Sequence, residues 1–89
     1  MSKTRSYTQI SINIMLRFYE AVDTLILMKR IRGKQTYCTI AEIDKRKYYE
    51  QQKDINKGHF QVSWMIPLVL KFDVSSDWLL TGRGKMFIR

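Results

Sequence analysis

Lys45, Arg46 and Lys47 stand in a row directly after Asp44, and the segment they open closes at Gly58. An Asp ahead of a helix accepts hydrogen bonds from the free N–H groups of the first turn, and a Gly in the left-handed conformation commonly ends one. The spacing predicts a helix over about 44–57, with Tyr48, Gln52 and Ile55 on one face and Lys45, Arg46, Tyr49, Lys53 and Asn56 on the other. A helix N-terminus already carries partial positive charge, so three cations there oppose the usual electrostatic preference. A polyanion reverses that balance. Phosphates accept Lys, Arg and helix-terminal N–H groups together, and Arg or Lys also pairs with guanine edges in the major groove. The competing reading is a solvated charge run.

Other chemistry has little to stand on. One cysteine, Cys38, excludes a disulfide within the chain, and with a single histidine, His59, the usual structural zinc sets are missing. Cys38 reads as a small core residue that lets two helices approach, and His59 as a loop residue touching phosphate or water. No nucleophile with a base, no paired carboxylates in a Gly-framed pocket and no phosphate loop stand out, so neither an enzyme nor a cofactor is expected. No small-molecule substrate is evident. Sixteen basic residues against eight acidic ones give a net charge of +8 and a pI near 9.9, which favours nucleic acid or an acidic surface as partner. The single cysteine suits a reducing compartment, and no apolar run resembles a secretory signal or a membrane span; the expectation is a soluble cytoplasmic protein.

The elements that must position the cations follow from periodicity. At 89 residues the chain is one small domain, and 45% hydrophobic residues make a core feasible. Residues 1–9 read as a flexible basic arm and 10–89 as the folded domain. From about Ile10 or Ser11, the positions Ile14, Phe18, Ala21, Val22, Leu25, Ile26 and Met28 or Lys29 form a helical stripe that Ile31-Arg32-Gly33 stops. Leu16, Tyr19 and Leu27 lie off that stripe, either buried on a second side, part of a second contact surface, or simply exposed. A two-turn helix over Lys34 to about Ala41 turns Tyr37, Cys38 and Ala41 inward and Lys34, Gln35 and Thr39 outward.

After a loop at 59–61, Val62, Met65, Ile66, Val69, Leu70 and Phe72 read as the apolar face of a fourth helix. Either Ser63 caps it, leaving Pro67 at the edge of the first turn, or the helix kinks at Pro67. Ser75 or Ser76 caps a last short helix with Trp78, Leu79 and Leu80, which Gly82 and Gly84 end. Met86-Phe87-Ile88 is an apolar chain end expected to pack on the domain or on a second subunit. Five helices, short connections and no period-two signal indicate a compact all-α domain.

The order of these parts, with the string Val74-Ser75-Ser76-Asp77-Trp78-Leu79-Leu80-Thr81-Gly82-Arg83-Gly84, resembles the phage-repressor-like helix-turn-helix family, over roughly Leu16 to Phe87. Many of its members close their DNA-binding domain with a similar Val-Ser-x-x-Trp-Leu-Leu-x-Gly string. The resemblance implies that Ile43 precedes the recognition helix, Asp44 caps it, Tyr48 is its buried position and Cys38 is the small residue of helix two. Lys45, Arg46, Lys47 and Tyr49 would then face DNA. Lys34 falls where the family touches the sugar-phosphate backbone, with Gln35 beside it, and either could make that contact. The chain departs from the family in three ways: Glu42 where the turn often has Gly, Gln52 at a usually apolar position of a helix about a turn longer, and Pro67.

The function expected from both lines of argument is a sequence-specific DNA-binding transcriptional regulator acting on double-stranded DNA as a homodimer, with its two recognition helices about one DNA turn apart. Arg46 is the first choice for reading a base, with Tyr49 and Glu50 as secondary readers, unless Glu50 pairs with Arg46 and holds it. Lys34, Gln35, Lys53, Lys57 and the Gly58 N–H would hold phosphates. The surplus apolar side of helix one and Met86-Phe87-Ile88 are the two candidate homodimer surfaces, with core packing as the competing reading of each. The rival function is an antitoxin-like or adaptor module that keeps the fold and binds an acidic protein.

Overall fold

The computed structural model describes residues 7–88. Helices α1 (Gln9–Leu27), α2 (Lys34–Ala41) and α3 (Lys45–Lys53) are followed by a 3-10 turn (Val62–Met65), then α4 (Ile66–Leu70) and α5 (Ser76–Thr81). Among the described residues the sole β pairing is an isolated antiparallel bridge between Val74 and Phe87. The class is all-α, with five α-helices among the described residues. No helix of the described residues is long and apolar enough to cross a membrane.

Helix α1 starts earlier and stops earlier than its periodicity suggests. The Thr8 side chain accepts a hydrogen bond from the Ser11 N–H at 3.2 Å, which satisfies a free first-turn donor and fixes the start at Gln9. Thr8 and Gln9 therefore belong to the helix and its cap rather than to a flexible arm; residues 1–6 of that arm lie outside the described residues. At the other end, the Met28 and Lys29 N–H groups reach back to the Thr24 and Ile26 carbonyls, and Lys29 turns the chain at φ 61°. Met28 is half exposed, so neither it nor Lys29 extends the stripe. Of the three off-stripe residues, Tyr19 is buried, its hydroxyl donating to the Tyr48 carbonyl at 3.1 Å, whereas Leu16 and Leu27 are exposed.

Phe18 sits at the centre of an aromatic core. Its ring lies 4.9 Å from Tyr19, 5.3 Å from Phe60, 5.8 Å from Tyr37 and 6.0 Å from Tyr48, all edge-on. Such pairs contribute about 0.5–1.5 kcal/mol each beyond the area they bury. Those partners come from α1, α2, α3 and the loop before the 3-10 turn, so one side chain ties four segments together. Arg17 adds a polar tie, its Nε donating to the Leu79 carbonyl of α5 at 2.8 Å.

Between α2 and α3 the chain reverses at Glu42, which adopts the left-handed conformation at φ 57°, ψ 45°. The Ile43 N–H closes on the Cys38 carbonyl at 2.8 Å, and buried Ile43 delivers the chain to Asp44. The turn thus takes the conformation in which Gly is at ease, and Glu42 accepts the steric strain of its Cβ there.

The segment 62–72 departs most from expectation. Pro67 falls in the first turn of α4, and a 3-10 turn precedes it instead of one continuous helix. Ser63 lies inside that turn and does not cap it; Gln61 is the capping residue, with no side-chain bond. A 3-10 turn advances three residues per revolution rather than 3.6, so the inward face shifts to Trp64, Met65, Leu68 and Phe72. Val62, Ile66 and Leu70, expected to point inward, are 72%, 48% and 80% exposed. Ser75 caps α5 by accepting from the Trp78 N–H at 3.1 Å, and Gly82 ends it at φ 80°. The chain end then folds back: Ser75 N–H bonds to the Met86 carbonyl at 2.7 Å and Ile88 N–H to the Asp73 carbonyl at 3.0 Å. Met86 and Phe87 pack on the core, while Ile88 stays exposed.

Relief of the Glu42 strain is measurable. Glu42→Gly is expected to stabilise the domain by about 0.5–1 kcal/mol, a rise of a few degrees in Tm, because strain relief outweighs the added freedom of the unfolded chain. Thermal unfolding followed by circular dichroism checks this, and an unchanged or lower Tm refutes it.

Candidate nucleic-acid interface

Helix α3 begins with Asp44, whose carboxylate accepts the N–H groups of Arg46 at 2.9 Å and Lys47 at 3.3 Å. That carboxylate is bound to backbone, and Lys45, Arg46 and Lys47 are exposed beside it. The ion pair found among the described residues is His59 with Glu50, so none of the three cations has a carboxylate within 4 Å there. Lys53, also exposed, ends the helix, and Tyr49 presents a ring that is 41% exposed.

The inward face holds these side chains in place. Tyr48 is fully buried, stacked on Trp64 at 6.2 Å and edge-on to Tyr19 at 5.1 Å. Gln51, not Gln52, is the second inward residue, and it is also fully buried. Its Oε1 accepts the N–H groups of His59 at 2.7 Å and Phe60 at 3.2 Å, and its Nε2 donates to the Ile55 carbonyl at 2.6 Å. A buried carboxamide with its acceptor and a donor satisfied costs little, and here it gathers the loop at 55–60 onto the helix.

This loop shortens α3. The helix ends at Lys53, and Asp54 is extended at φ −132°, ψ 102°, its carboxylate accepting the Asn56 N–H at 3.1 Å in a side-chain-stabilised turn. Gly58, at φ 89°, shapes the loop rather than closing the helix. Ile55, Asn56 and Lys57 lie beyond α3, with exposed Lys57 on the turn. The longer helix suggested by Gly58 is therefore corrected to nine residues.

Two other polar residues have definite partners. Lys34 opens α2 and donates from Nζ to Gln52 Oε1 at 3.0 Å, with its ammonium 5.9 Å from the Tyr49 ring centre. It bridges the start of α2 to α3, and Gln35 next to it is exposed. Glu50 pairs with His59 at 3.0 Å rather than with Arg46, which also places His59 against a carboxylate.

Burial pushes the Tyr19, Tyr37 and Tyr48 hydroxyls well above the ordinary phenol range. It also raises the Cys38 thiol, which Lys45 partly offsets, so Cys38 is a protonated core residue rather than a nucleophile. The Tyr48 hydroxyl is buried with no hydrogen-bond partner.

The structure thus gathers Lys45, Arg46, Lys47, Tyr49 and Lys53 along α3, links Lys34 to them, and leaves Gln35 and Lys57 on adjoining segments. Gln51 and Trp64 are the supporting residues that sequence reasoning missed. Gln51 and Gln52 stand three and four positions after Tyr48, and both spacings suit an inward face; nothing in their chemistry separates them. No family model, curated protein or solved structure matches the chain.

Two substitutions probe this support. Gln51→Leu leaves the His59 and Phe60 N–H groups without their acceptor and is expected to cost about 2–4 kcal/mol. Tyr48→Phe removes a buried hydroxyl that bonds to nothing and is expected to be neutral or stabilising by up to about 1 kcal/mol. Urea unfolding of both variants measures the difference; a large loss in Tyr48→Phe would mean that its hydroxyl has a partner in solution.

Proposed function

We propose that the chain is a sequence-specific DNA-binding transcriptional regulator of the phage-repressor-like helix-turn-helix type, with α3 in the major groove and α2 bracing it on the backbone. One observation carries the reading. The first turn of α3 presents three exposed cations with no carboxylate partner among the described residues, at a helix end that already favours anions. The left-handed turn at Glu42, which joins two short helices through a close 42–43 connection, agrees with it.

In this reading Arg46 pairs bidentately with a guanine, while Tyr49 and the Glu50 carboxylate, steadied by His59, read neighbouring positions. Lys45 and Lys47 flank Arg46, one toward the groove and one toward phosphate. Lys53, Lys57 and Gln35 hold the backbone, and Lys34 joins them, since its ammonium has three donors and Gln52 takes one. Two copies would occupy half-sites about one DNA turn apart, in the cytoplasm and without a cofactor.

Selection of bound duplexes from a random pool, across a salt series, tests the proposal. The wild type is expected to enrich an inverted repeat and to show a slope of roughly −4 to −6 in log K against log salt. Arg46→Ala is expected to relax one position of the repeat at a cost of about 1–3 kcal/mol, whereas Lys53→Gln weakens all sequences alike and reduces the salt slope by about 1. Absence of any enriched sequence, with Arg46→Ala unchanged, overturns the reading and directs attention to an acidic protein partner.

A further inference from the structure

Glu50 stands apart from its neighbours on α3. Helical spacing sets Arg46, Tyr49, Glu50 and Lys53 in one stripe opposite the buried Tyr48 and Gln51, so a carboxylate lies among cations on the outer side of the helix. Arg46 and Lys47, one turn before it, and Lys53, one turn after it, stand at the spacings where helical ion pairs form. Among the described residues Glu50 pairs with none of them. Its Oε1 lies 3.0 Å from Nε2 of His59, which comes from the loop beyond the helix. A carboxylate only accepts, so the His59 Nε2–H donates, and Oε2 keeps its acceptor capacity on a side chain that is 41% exposed.

The loop that supplies His59 is itself fixed. The His59 main-chain N–H bonds to the buried Gln51 Oε1 at 2.7 Å, so the ring reaches Glu50 from an anchored backbone. The pair holds the carboxylate away from the cations of its own helix and leaves those cations to other anions.

We propose that His59 is a positioning residue that makes Glu50 a reader of cytosine, an inference that rests on α3 being the helix in the major groove. A carboxylate on a surface that meets phosphates is repelled by them, and it is tolerated there only where it faces a hydrogen-bond donor. On the major-groove edges of the bases the donors are the exocyclic amines of cytosine and adenine, whereas guanine and thymine present acceptors. Adenine also sets its N7 acceptor beside the amine, so cytosine is the base that a carboxylate meets without an opposing lone pair. The same charge rejects guanine and thymine by repulsion, which supplies specificity even where it adds little affinity. Glu50 follows Arg46 by four residues, about 6 Å along the helix axis, so the cytosine is expected within about two base pairs of the guanine that Arg46 takes. Without the His59 ring the carboxylate is free to fold onto Arg46, Lys47 or Lys53, which withdraws the acceptor from the groove.

Selection of bound duplexes from a random pool, with the wild type and four variants, tests the assignment. The wild type is expected to prefer cytosine over thymine at one position at least about tenfold. Glu50→Ala is expected to erase that preference, and Glu50→Gln to move it to adenine, whose N6 and N7 suit a carboxamide. His59→Ala is expected to lose most of the cytosine preference, and His59→Gln, which keeps an N–H donor, to recover it. In a Glu50→Ala background, adding His59→Ala is expected to change that position no further. Circular dichroism is expected to show every variant folded, because the His59 main chain, not its ring, ties the loop to Gln51. An enriched repeat in which Glu50→Ala alters no position, or alters only the guanine set by Arg46, overturns this proposal and leaves α3 a reading helix. So does a His59→Ala variant that weakens all sequences alike, which is the mark of a purely structural tie. If no sequence is enriched by the wild type, this assignment and the DNA-reading proposal fall together.

Discussion

Helix α3 is nine residues long and buries two side chains, Tyr48 and Gln51. A helix so short and so polar does not hold itself in water, and its first turn is loaded with like charge. Its position therefore depends on the Gln51 carboxamide. One oxygen accepts two loop N–H groups while the nitrogen donates to Ile55, so the same amide that anchors the helix also folds the chain leaving it. Tyr48, packed on Phe18, Tyr19 and Trp64, attaches the strongly basic segment to the apolar core, and the polar inward residue beside it fixes the chain that leaves the helix.

That core is built from rings more than from aliphatic packing. Phe18, Tyr19, Tyr37, Tyr48, Phe60 and Trp64 meet mostly edge-on, and two of the three tyrosine hydroxyls find backbone carbonyls: Tyr19 on Tyr48, and Tyr37 on Trp64. Large rings bury much area per residue, which suits a chain of 89 residues with little core to spend. The buried Tyr48 hydroxyl is the exception to polar satisfaction, and desolvation keeps it protonated.

Charge and apolar surface are segregated. The cations of α3 gather on one short helix, tied to the start of α2 through Lys34 and Gln52, while one group of exposed aliphatic side chains, Val62, Ile66, Leu70 and Leu80, lies on the 3-10 turn, α4 and α5. Each collection is unfavourable for an isolated molecule: like charges repel, and exposed aliphatic side chains order water. Partners of opposite kind, a polyanion and an apolar surface, relieve the two separately.

Much of this was legible in the residues themselves. The all-α class, α2 with Tyr37 and Cys38 inward, the Asp44 cap, the buried Tyr48 and a serine cap at 75 or 76, which the structure gives to Ser75, follow from local chemistry, because caps and helical spacing act within a turn or two of chain. What failed to show were choices settled at long range. Gln51 rather than Gln52 turns inward because the loop at 59–60 brings two N–H groups to it, and α3 stops at Lys53 because Asp54 turns the chain toward that amide. Val62, Ile66 and Leu70 carry the same apolar signal as core residues, yet a 3-10 turn and Pro67 rotate them outward. The sequence by itself determined the helical class, the caps at Asp44 and before α5, and where the cations cluster, since these are local properties. Only the tertiary structure decided which polar side chain is buried and which apolar face is left open, because each depends on what distant segments deliver to it.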